Sequence, residues 1–557
     1  MGPMGQQMKA LTEYWRQDLS AGLTTAVMLV PQGMAYALLA GLPPIVGLYA
    51  GTLPLIVYAL LGTSRQLAVG PMALASLLVA TGLQELGAAA GLEASELLGM
   101  AVLITLTAGL WQILLGTLRL GGLVNLLSHP VVSGFTAAAA LIIGTSQLKH
   151  VFGFDVPGGR SVLETLSHIA AHLGETHLPT LVVGALAIGV LLGVKRWRPK
   201  WPAALIAVLA GIVASYGLDF AGLGVATLGE VPSGLPTPKL PEGLSVEALQ
   251  TVAPIGLTIA LIAFMESISA AKVYARANRY DISPSRELVA QGLANVTAAC
   301  TGGYVVGGAL SRTAVNADAG AKTRLAGVVT AVAVCLVLLV LTAPFAYLPK
   351  PILAAMILVA VAGLIDVKEF KHLWEMKRDD LVLSLMTFVC TLLISAVAGL
   401  LIGVGASLLW LVLTTTRPNI AVLGRMPNKM SYRCVDHFDD LETFDRITIM
   451  RMDAQFFFGN VVYLKDAIYR HVDNNTDLVA LVLDASSINA LDSTAVDTYE
   501  EIVLELRARG VEMLISHVKG SVLRVMKIAG LVDTLGEGHI FYEVQDAVGA
   551  ALRHRDA

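Results

Sequence analysis

Ser64-Arg65-Gln66-Leu67-Ala68-Val69-Gly70-Pro71-Met72-Ala73 runs from a polar loop through a Gly-Pro step into an apolar segment, read as residues 70 to 83. About 20 apolar residues are needed to cross the hydrocarbon core of a bilayer, so this segment is too short to span alone. Far downstream, Gly302-Gly303 and Gly307-Gly308-Ala309-Leu310-Ser311-Arg312-Thr313 open a second short segment, 307 to 318. Short segments broken by Gly or Pro at matching places in two halves of a chain mark an inverted-repeat transporter, whose half-helices meet near the membrane midplane. Pro71 suits the start of a helix. A half-helix start offers unpaired N–H groups and the positive end of a dipole, an anion site that needs no basic side chain.

Working outward from these two, fourteen apolar segments can be drawn: 19 to 41, 44 to 62, 70 to 83, 96 to 117, 123 to 148, 178 to 194, 201 to 217, 251 to 275, 285 to 300, 307 to 318, 323 to 345, 349 to 365, 380 to 396 and 398 to 416. Each short segment is third in its half of seven, and because seven is odd the two halves must be inverted. Lys and Arg test the orientation, since they favour cytoplasmic loops. With a cytosolic N-terminus, sixteen of them fall in inside loops, against Lys149, Arg160, Lys239 and Lys350 outside. The apolar run after Asp18 follows a polar stretch with no small-residue cleavage site, and it reads as a retained span.

Composition agrees with a chain that lives mostly in lipid: 55% hydrophobic and 14% charged residues, with mean hydropathy +0.70. From Asn419 onward there are 14 Lys+Arg against 21 Asp+Glu, while residues 1–418 carry 24 against 21. An acidic, charge-rich tail after a greasy body reads as a soluble module on a membrane domain, and it excludes a nucleic-acid binder. The expected division is 1–418 for membrane transport, 419–446 for a linker with a leading strand, and 447–557 for the tail. In the tail, strands at 447–452, 478–483 and 511–516 alternate with helices after Gly459, from Ser493 to Arg509 and from Gly520, which is a small α/β domain. No Walker-type loop or catalytic spacing occurs. Cys300, Cys335, Cys390 and Cys434 are scattered, so neither a disulfide framework, a metal site nor a cofactor is expected, and the chain is not read as an enzyme.

Several polar residues sit where apolar ones are cheaper. Pro31-Gln32-Gly33-Met34-Ala35-Tyr36 places an amide in the middle of the first segment, with Tyr36 one turn on and on the same face. Gln32 is read either as bonded to a neighbouring helix or as a cavity wall. Arg312 and Ser311 lie at the tenth segment; Arg312 either contributes to an anion site, neutralises Glu266 or Asp318, or snorkels to an interface. Glu266 lies well inside the eighth segment, as a structural hydrogen-bonding group or as a carboxylate that exchanges a proton while a cavity alternates between wet and closed. Asp18 and Asp380 are read as acids at helix starts, and His129 before Pro130 as a structural histidine.

The run Asp18-Leu19, Pro31 to Tyr36, Leu39-Ala40-Gly41-Leu42-Pro43-Pro44, Gly47-Leu48-Tyr49 and Gly62-Thr63-Ser64-Arg65 resembles the SulP anion transporter family, also called solute carrier family twenty-six. The tail, with Leu483-Asp484 and Leu491-Asp492-Ser493-Thr494, resembles a STAS domain. The resemblance implies a polytopic α-helical fold of fourteen segments in core and gate layers, shared with nucleobase transporters and working as a homodimer. It implies an anion between the third and tenth half-helices, contacted from the first and eighth segments. The residues concerned are Gln32, Tyr36, Met72, Glu266, Ser311 and Arg312, with Ala73 and Leu310 beside them. Ser493 stands where related bacterial regulators are phosphorylated, but Thr494-Ala495 follows in place of Ser-Gly, and Ser493 reads first as a helix-start serine and second as a regulatory phosphosite.

The expected function is secondary active transport of a small anion (dicarboxylate, sulfate or bicarbonate class) across the bacterial inner, cytoplasmic membrane, coupled to H+ through Glu266. The N-terminus and STAS domain are expected in the cytosol. Exchange or channel-like conduction stays open, as does a regulatory scaffold that senses anions and acts through the STAS domain.

Overall fold

Apolar runs punctuated by Gly and Pro fold into a succession of helices in the computed structural model, which describes residues 3–90, 94–122, 128–156, 161–198, 201–239, 241 and 244–556. Of the sequence readings, residues 123–127 of the fifth segment, Arg160 and Lys200 lie outside the described residues. The first half contains α1 (Pro3–Leu39), α2 (Pro44–Tyr49), α3 (Leu53–Leu61), β1 (Val69–Gly70), α4 (Ala73–Ala90), α5 (Ala94–Thr117), α6 (His129–Phe152), α7 (Val162–Ala171), α8 (Leu178–Trp197) and α9 (Ala203–Leu218). The second contains α10 (Val246–Ala277), α11 (Pro284–Cys300), β2 (Gly307–Gly308), α12 (Leu310–Asp318), α13 (Leu325–Val340), α14 (Lys350–Ala362), α15 (Val367–Met376), α16 (Arg378–Leu393) and α17 (Ala396–Thr416). Every drawn segment holds a helix. Among the described residues, eight helical stretches are long and apolar enough to cross a membrane.

Where sequence and structure differ, the reasons are local. The second segment breaks into α2 and α3 at a turn over residues 50–52. α4 continues past residue 83 to Ala90, because Gln84 and Glu85, though polar, are good helix formers. α10 starts at Val246, earlier than drawn, where the Ser245 hydroxyl accepts the Ala248 N–H at 3.0 Å as a cap. Pro31 sits inside a helix that continues through it. Asp18 does not start a helix: it lies within α1, fully buried. Its carboxylate instead accepts the backbone N–H groups of Lys322 (2.7 Å) and Thr323 (3.0 Å), just before α13. Asp380 does lie in the first turn of α16, and the exposed His129 pairs with Glu369 at 3.1 Å.

Packing sorts the helices into two groups. α1 packs on α2, α12 and α13; α3 on α11 and α13; and α5 and α4 on α10, with α5 also on α11. In the other group α6 packs on α14, α16 and α8, and α8 on α14 and α9. The groups meet where α1 touches α9 and α14, and where α4 touches α6. Small residues allow the closest approaches. A Cβ on Gly47 would run into the carbonyl of Gly33, so α2 packs onto the α1 backbone only with glycine there.

The chain divides into two compact units at Ser407/Leu408. In the second unit a six-stranded sheet has the order β4-β3-β5-β6-β7-β8, from β3 (Ile420–Arg425), β4 (Tyr432–Cys434), β5 (Ile447–Met452), β6 (Ala480–Asp484), β7 (Glu512–Ser516) and β8 (Ile540–Phe541). β5 to β8 are parallel and β3 is antiparallel to both its neighbours. The helices are α18 (Val461–Asn474), α19 (Ser493–Ala508), α20 (Gly520–Ile528), α21 (Leu531–Leu535) and α22 (Val544–Asp556). Their apolar faces cover both sides of a sheet whose β6 is buried throughout.

After β7, His517 bridges the buried Asp484 (2.9 Å) and Glu543 at the foot of α22 (3.1 Å). Burial works against its charge, but the hydrogen bonds to the two carboxylates outweigh that and hold its pKa above the usual imidazole value. A raised folded-state pKa stabilises fully below the unfolded value of about 6.5, and the stabilisation is lost as pH rises through the folded one. Hydrogen exchange of α22 in the full-length protein, corrected for intrinsic rates, is therefore expected to lose protection by up to about fivefold above that range, the scale of a partly exposed pair. His517→Gln is expected to remove the pH dependence.

Candidate functional site

The two Gly-containing steps meet. Val69 pairs with Gly308 and Gly70 with Gly307 in an antiparallel bridge, which joins the start of α4 to the start of α12. The first backbone bonds of the two helices are Ser76 N–H to Met72 O and Thr313 N–H to Ala309 O, both 2.9 Å. N–H groups earlier in each first turn have no acceptor within their helix. At α12 no side chain caps them. Glycine is required on both sides of the bridge: a Cβ on Gly307 would meet the Met72 sulfur, and one on Gly70 (φ +153°) would lie 3.2 Å from Nη2 of Arg312.

A polar scaffold fixes this crossing. Arg312 is fully buried, and its guanidinium donates to the carbonyls of Ala68 (3.2 Å), Pro71 (3.0 Å) and Gly307 (3.2 Å). Its partners are thus carbonyls on both strands, not Glu266 or Asp318, and a group so buried does not snorkel. Thr313 accepts the Ala68 N–H at 3.2 Å and Asn316 donates to Gln66 O at 2.8 Å. Ser267 accepts from the Gly308 N–H (2.7 Å) and Gln291 (2.6 Å). Asn295 clamps Val306 by accepting its N–H at 2.7 Å and donating to its carbonyl at 3.1 Å, and it reaches Gln112 at 2.9 Å. Ser76 and Tyr304 share a hydrogen bond of 3.0 Å.

The residues expected to hold an anion behave differently. Among the described residues, the side chains of Gln32, Tyr36, Glu266 and Ser311 make no hydrogen bond, and Oε2 of Glu266 is buried without a partner. The reading of Gln32 as bonded to a neighbouring helix therefore has no counterpart in the structure. Tyr36, Glu266 and Tyr304 each lie within electrostatic reach of Arg312. A Cβ on Gly33, next to Gln32, would lie in contact with Pro71, 3.8 Å from its Cγ, so α1 passes the start of α4. Leu310 and Ser311 are exposed at the first turn of α12, whereas Met72 is buried behind the bridge with its sulfur against Gly307.

Sequence reasoning missed the scaffold. Gln112, Gln291, Asn295 and Ser267 are neutral polar residues in apolar helices, which was the signal available. Glu287, also unremarked, is buried in the first turn of α11. It accepts from Tyr58 Oη (2.7 Å), from the N–H groups of Thr63 and Ser64 (2.9 Å for the latter) and from Thr63 Oγ1 (2.5 Å). That carboxylate pins the loop leading into β1. In the second unit Ser493 is exposed and opens α19, while Asp492 caps the helix by accepting the Ala495 N–H at 2.8 Å.

The profile of the Sulfate permease family matches residues 15–387, and that of the STAS domain matches 440–547. Sulfate transporter 4.1, chloroplastic, of Arabidopsis thaliana is 36% identical over 560 residues, covering 98% of this chain and 81% of its own. A probable sulfate transporter of Mycobacterium tuberculosis (strain ATCC 25618 / H37Rv) is 35% identical over 554 residues, covering 98% and 97%. The murine Solute Carrier 26 family member A9 anion transporter in the inward-facing state has the same fold, with TM-score 0.89 at 23% identity over 96% of this chain and 91% of that one. The transmembrane domain of a cyanobacterium bicarbonate transporter, BicA, aligns with TM-score 0.62 at 25% identity over 69% and 97%. A multi-pass helical membrane protein with this profile, these relatives and a STAS domain behind it belongs to the Sulfate permease family.

Proposed function

We propose that this protein carries a small anion across the cytoplasmic membrane by secondary active transport, with the anion seated between the starts of α4 and α12. Sulfate is the first substrate to test, because the relatives are named sulfate transporters; bicarbonate and small dicarboxylates follow. One observation supports this reading above the others. In a region where the scaffold's polar groups are spent on one another, the side chains of Gln32, Tyr36, Glu266 and Ser311 make no hydrogen bond among the described residues, and Ser311 lies in the first turn of α12, whose start the bridge joins to that of α4. Met72, Ala73, Leu310 and Arg312 complete the lining, and Arg312 supplies positive charge from behind the bridge. Residues 1–418 form the transport domain, 447–557 the cytosolic STAS domain, and two copies make a homodimer. Movement of one helix group against the other along the α1–α14, α1–α9 and α4–α6 contacts gives alternating access.

Glu266 is the proton carrier in this reading. An ionised Glu266 repels an incoming anion, and a protonated one admits it, so proton and anion travel together. In proteoliposomes with the membrane potential clamped at zero, each pH unit of inward proton gradient is expected to raise anion accumulation about tenfold for each proton carried with the anion. Glu266→Gln is expected to retain binding and lose that response. Labelled sulfate, bicarbonate, fumarate and succinate are offered in turn. Saturable uptake that ignores an imposed pH gradient in both proteins rejects the coupling. Absence of saturable uptake for all four rejects the transport reading.

A further inference from the structure

A second basic feature lies away from the central site. The end of α6, the start of α14, the α1–α2 turn and the start of α5 enclose a cavity of about 500 Å³. Lys149, His150 and Lys350 line it among apolar neighbours such as Leu38, Pro43 and Leu97, and the lining contains no Asp or Glu. Both ammonium groups act on the His150 ring, as does the exposed Asp155, which is not part of the lining. Neither lysine forms an ion pair among the described residues. Lys149 is in the last turn of α6, where a cation complements the helix dipole. Lys350 has no such excuse. It is the first residue of α14, the end at which the dipole disfavours a cation, and it shares the cavity with another cation. A charge placed against its local preference, with no carboxylate paired to it among the described residues, calls for a ligand that compensates it.

The position suits capture. Lys149 and Lys350 sit at the helix ends that the charge bias puts outside. The cavity straddles the two helix groups, α1 and α5 on one side and α6 and α14 on the other. Along α1, Leu38 is about 3 Å of helix rise beyond Tyr36, so the cavity opens just past the central site's own helix. We propose that this cavity is an outer capture site for small inorganic oxyanions, held by Lys149 and Lys350 before they pass to the starts of α4 and α12. The inference rests on the transport reading, and it adds a second binding step on the outer side.

Two measurements on the full-length protein separate this proposal from its basis. In proteoliposomes with outward-facing protein, the Lys149→Gln/Lys350→Gln pair is expected to raise the KM for external sulfate about tenfold at low ionic strength while Vmax is kept. The difference is expected to shrink as salt screens the field, and Lys149→Arg/Lys350→Arg is expected to restore KM. An unchanged KM in the Gln pair, or equal defects in the Gln and Arg pairs, overturns the proposal. The second measurement needs no transport. In a protein with its native cysteines replaced by serine, Pro43→Cys is modified by an anionic or a cationic membrane-impermeant thiosulfonate. The anionic reagent is expected to react faster, sulfate to protect, and the preference to vanish in the Gln pair. A preference for the cationic reagent overturns the capture site even where uptake is normal, and a clear anionic preference upholds it even where sulfate proves not to be carried.

Discussion

Arg312→Met is expected to lower anion uptake at least tenfold and to make the detergent-extracted protein aggregate at lower temperature. The guanidinium holds the carbonyls of Ala68, Pro71 and Gly307 and so ties the segments around the bridge together, alongside the Ala68–Thr313 and Gln66–Asn316 hydrogen bonds. Removing it leaves buried acceptors unpaired, at roughly 1–3 kcal/mol each, and removes the positive charge behind both helix starts. Arg312→Lys separates the two roles. A lysine restores the charge, but as a flexible point donor it does not span three fixed carbonyls. If Arg312 acts mainly by holding α4 to α12, the Lys variant is nearly as impaired as Met; uptake restored to within about twofold by Lys would show that charge alone matters. Sequence reading could not reach this distinction, because the carbonyls that engage Arg312 come from Ala68 and Pro71, on the other half of the chain.

The same contrast explains what was legible. Gly70-Pro71 and Gly307-Gly308 stood out because backbone constraints write themselves into residue type, and the structure brings those two steps into one bridge. The tail strands were legible because apolar runs of five or six residues bounded by turns have few other solutions; β6 and β7 start within two residues of the expected positions. Helix ends were less so: α4 and α10 extend beyond their drawn limits, since capping by Ser245 and propensity at Gln84-Glu85 act below the resolution of hydropathy. Asp18 was read as a helix start because acids favour that place, but its carboxylate serves the N–H groups of Lys322 and Thr323, some three hundred residues away. Among the site residues, Gln32, Glu266 and Ser311 were visible as polar groups at depth. They differ from Ser267, Gln291 and Asn295 in being less buried and in making no hydrogen bond among the described residues, and both are properties of the packed structure.

Ser311→Asp is the direct test of an anion seated at the start of α12, facing that of α4. Ser311 is exposed in the first turn of α12 and makes no hydrogen bond among the described residues. An acid in a first turn favours the helix, by about 0.3–1 kcal/mol, so the variant is expected to express and to melt like the parent. Its carboxylate, however, occupies the dipole end that the substrate would use, and it opposes any second anion there. Saturable uptake of labelled sulfate in proteoliposomes is expected to fall at least tenfold in Ser311→Asp, with melting temperature preserved. Uptake with an unchanged KM and Vmax in that protein would contradict it.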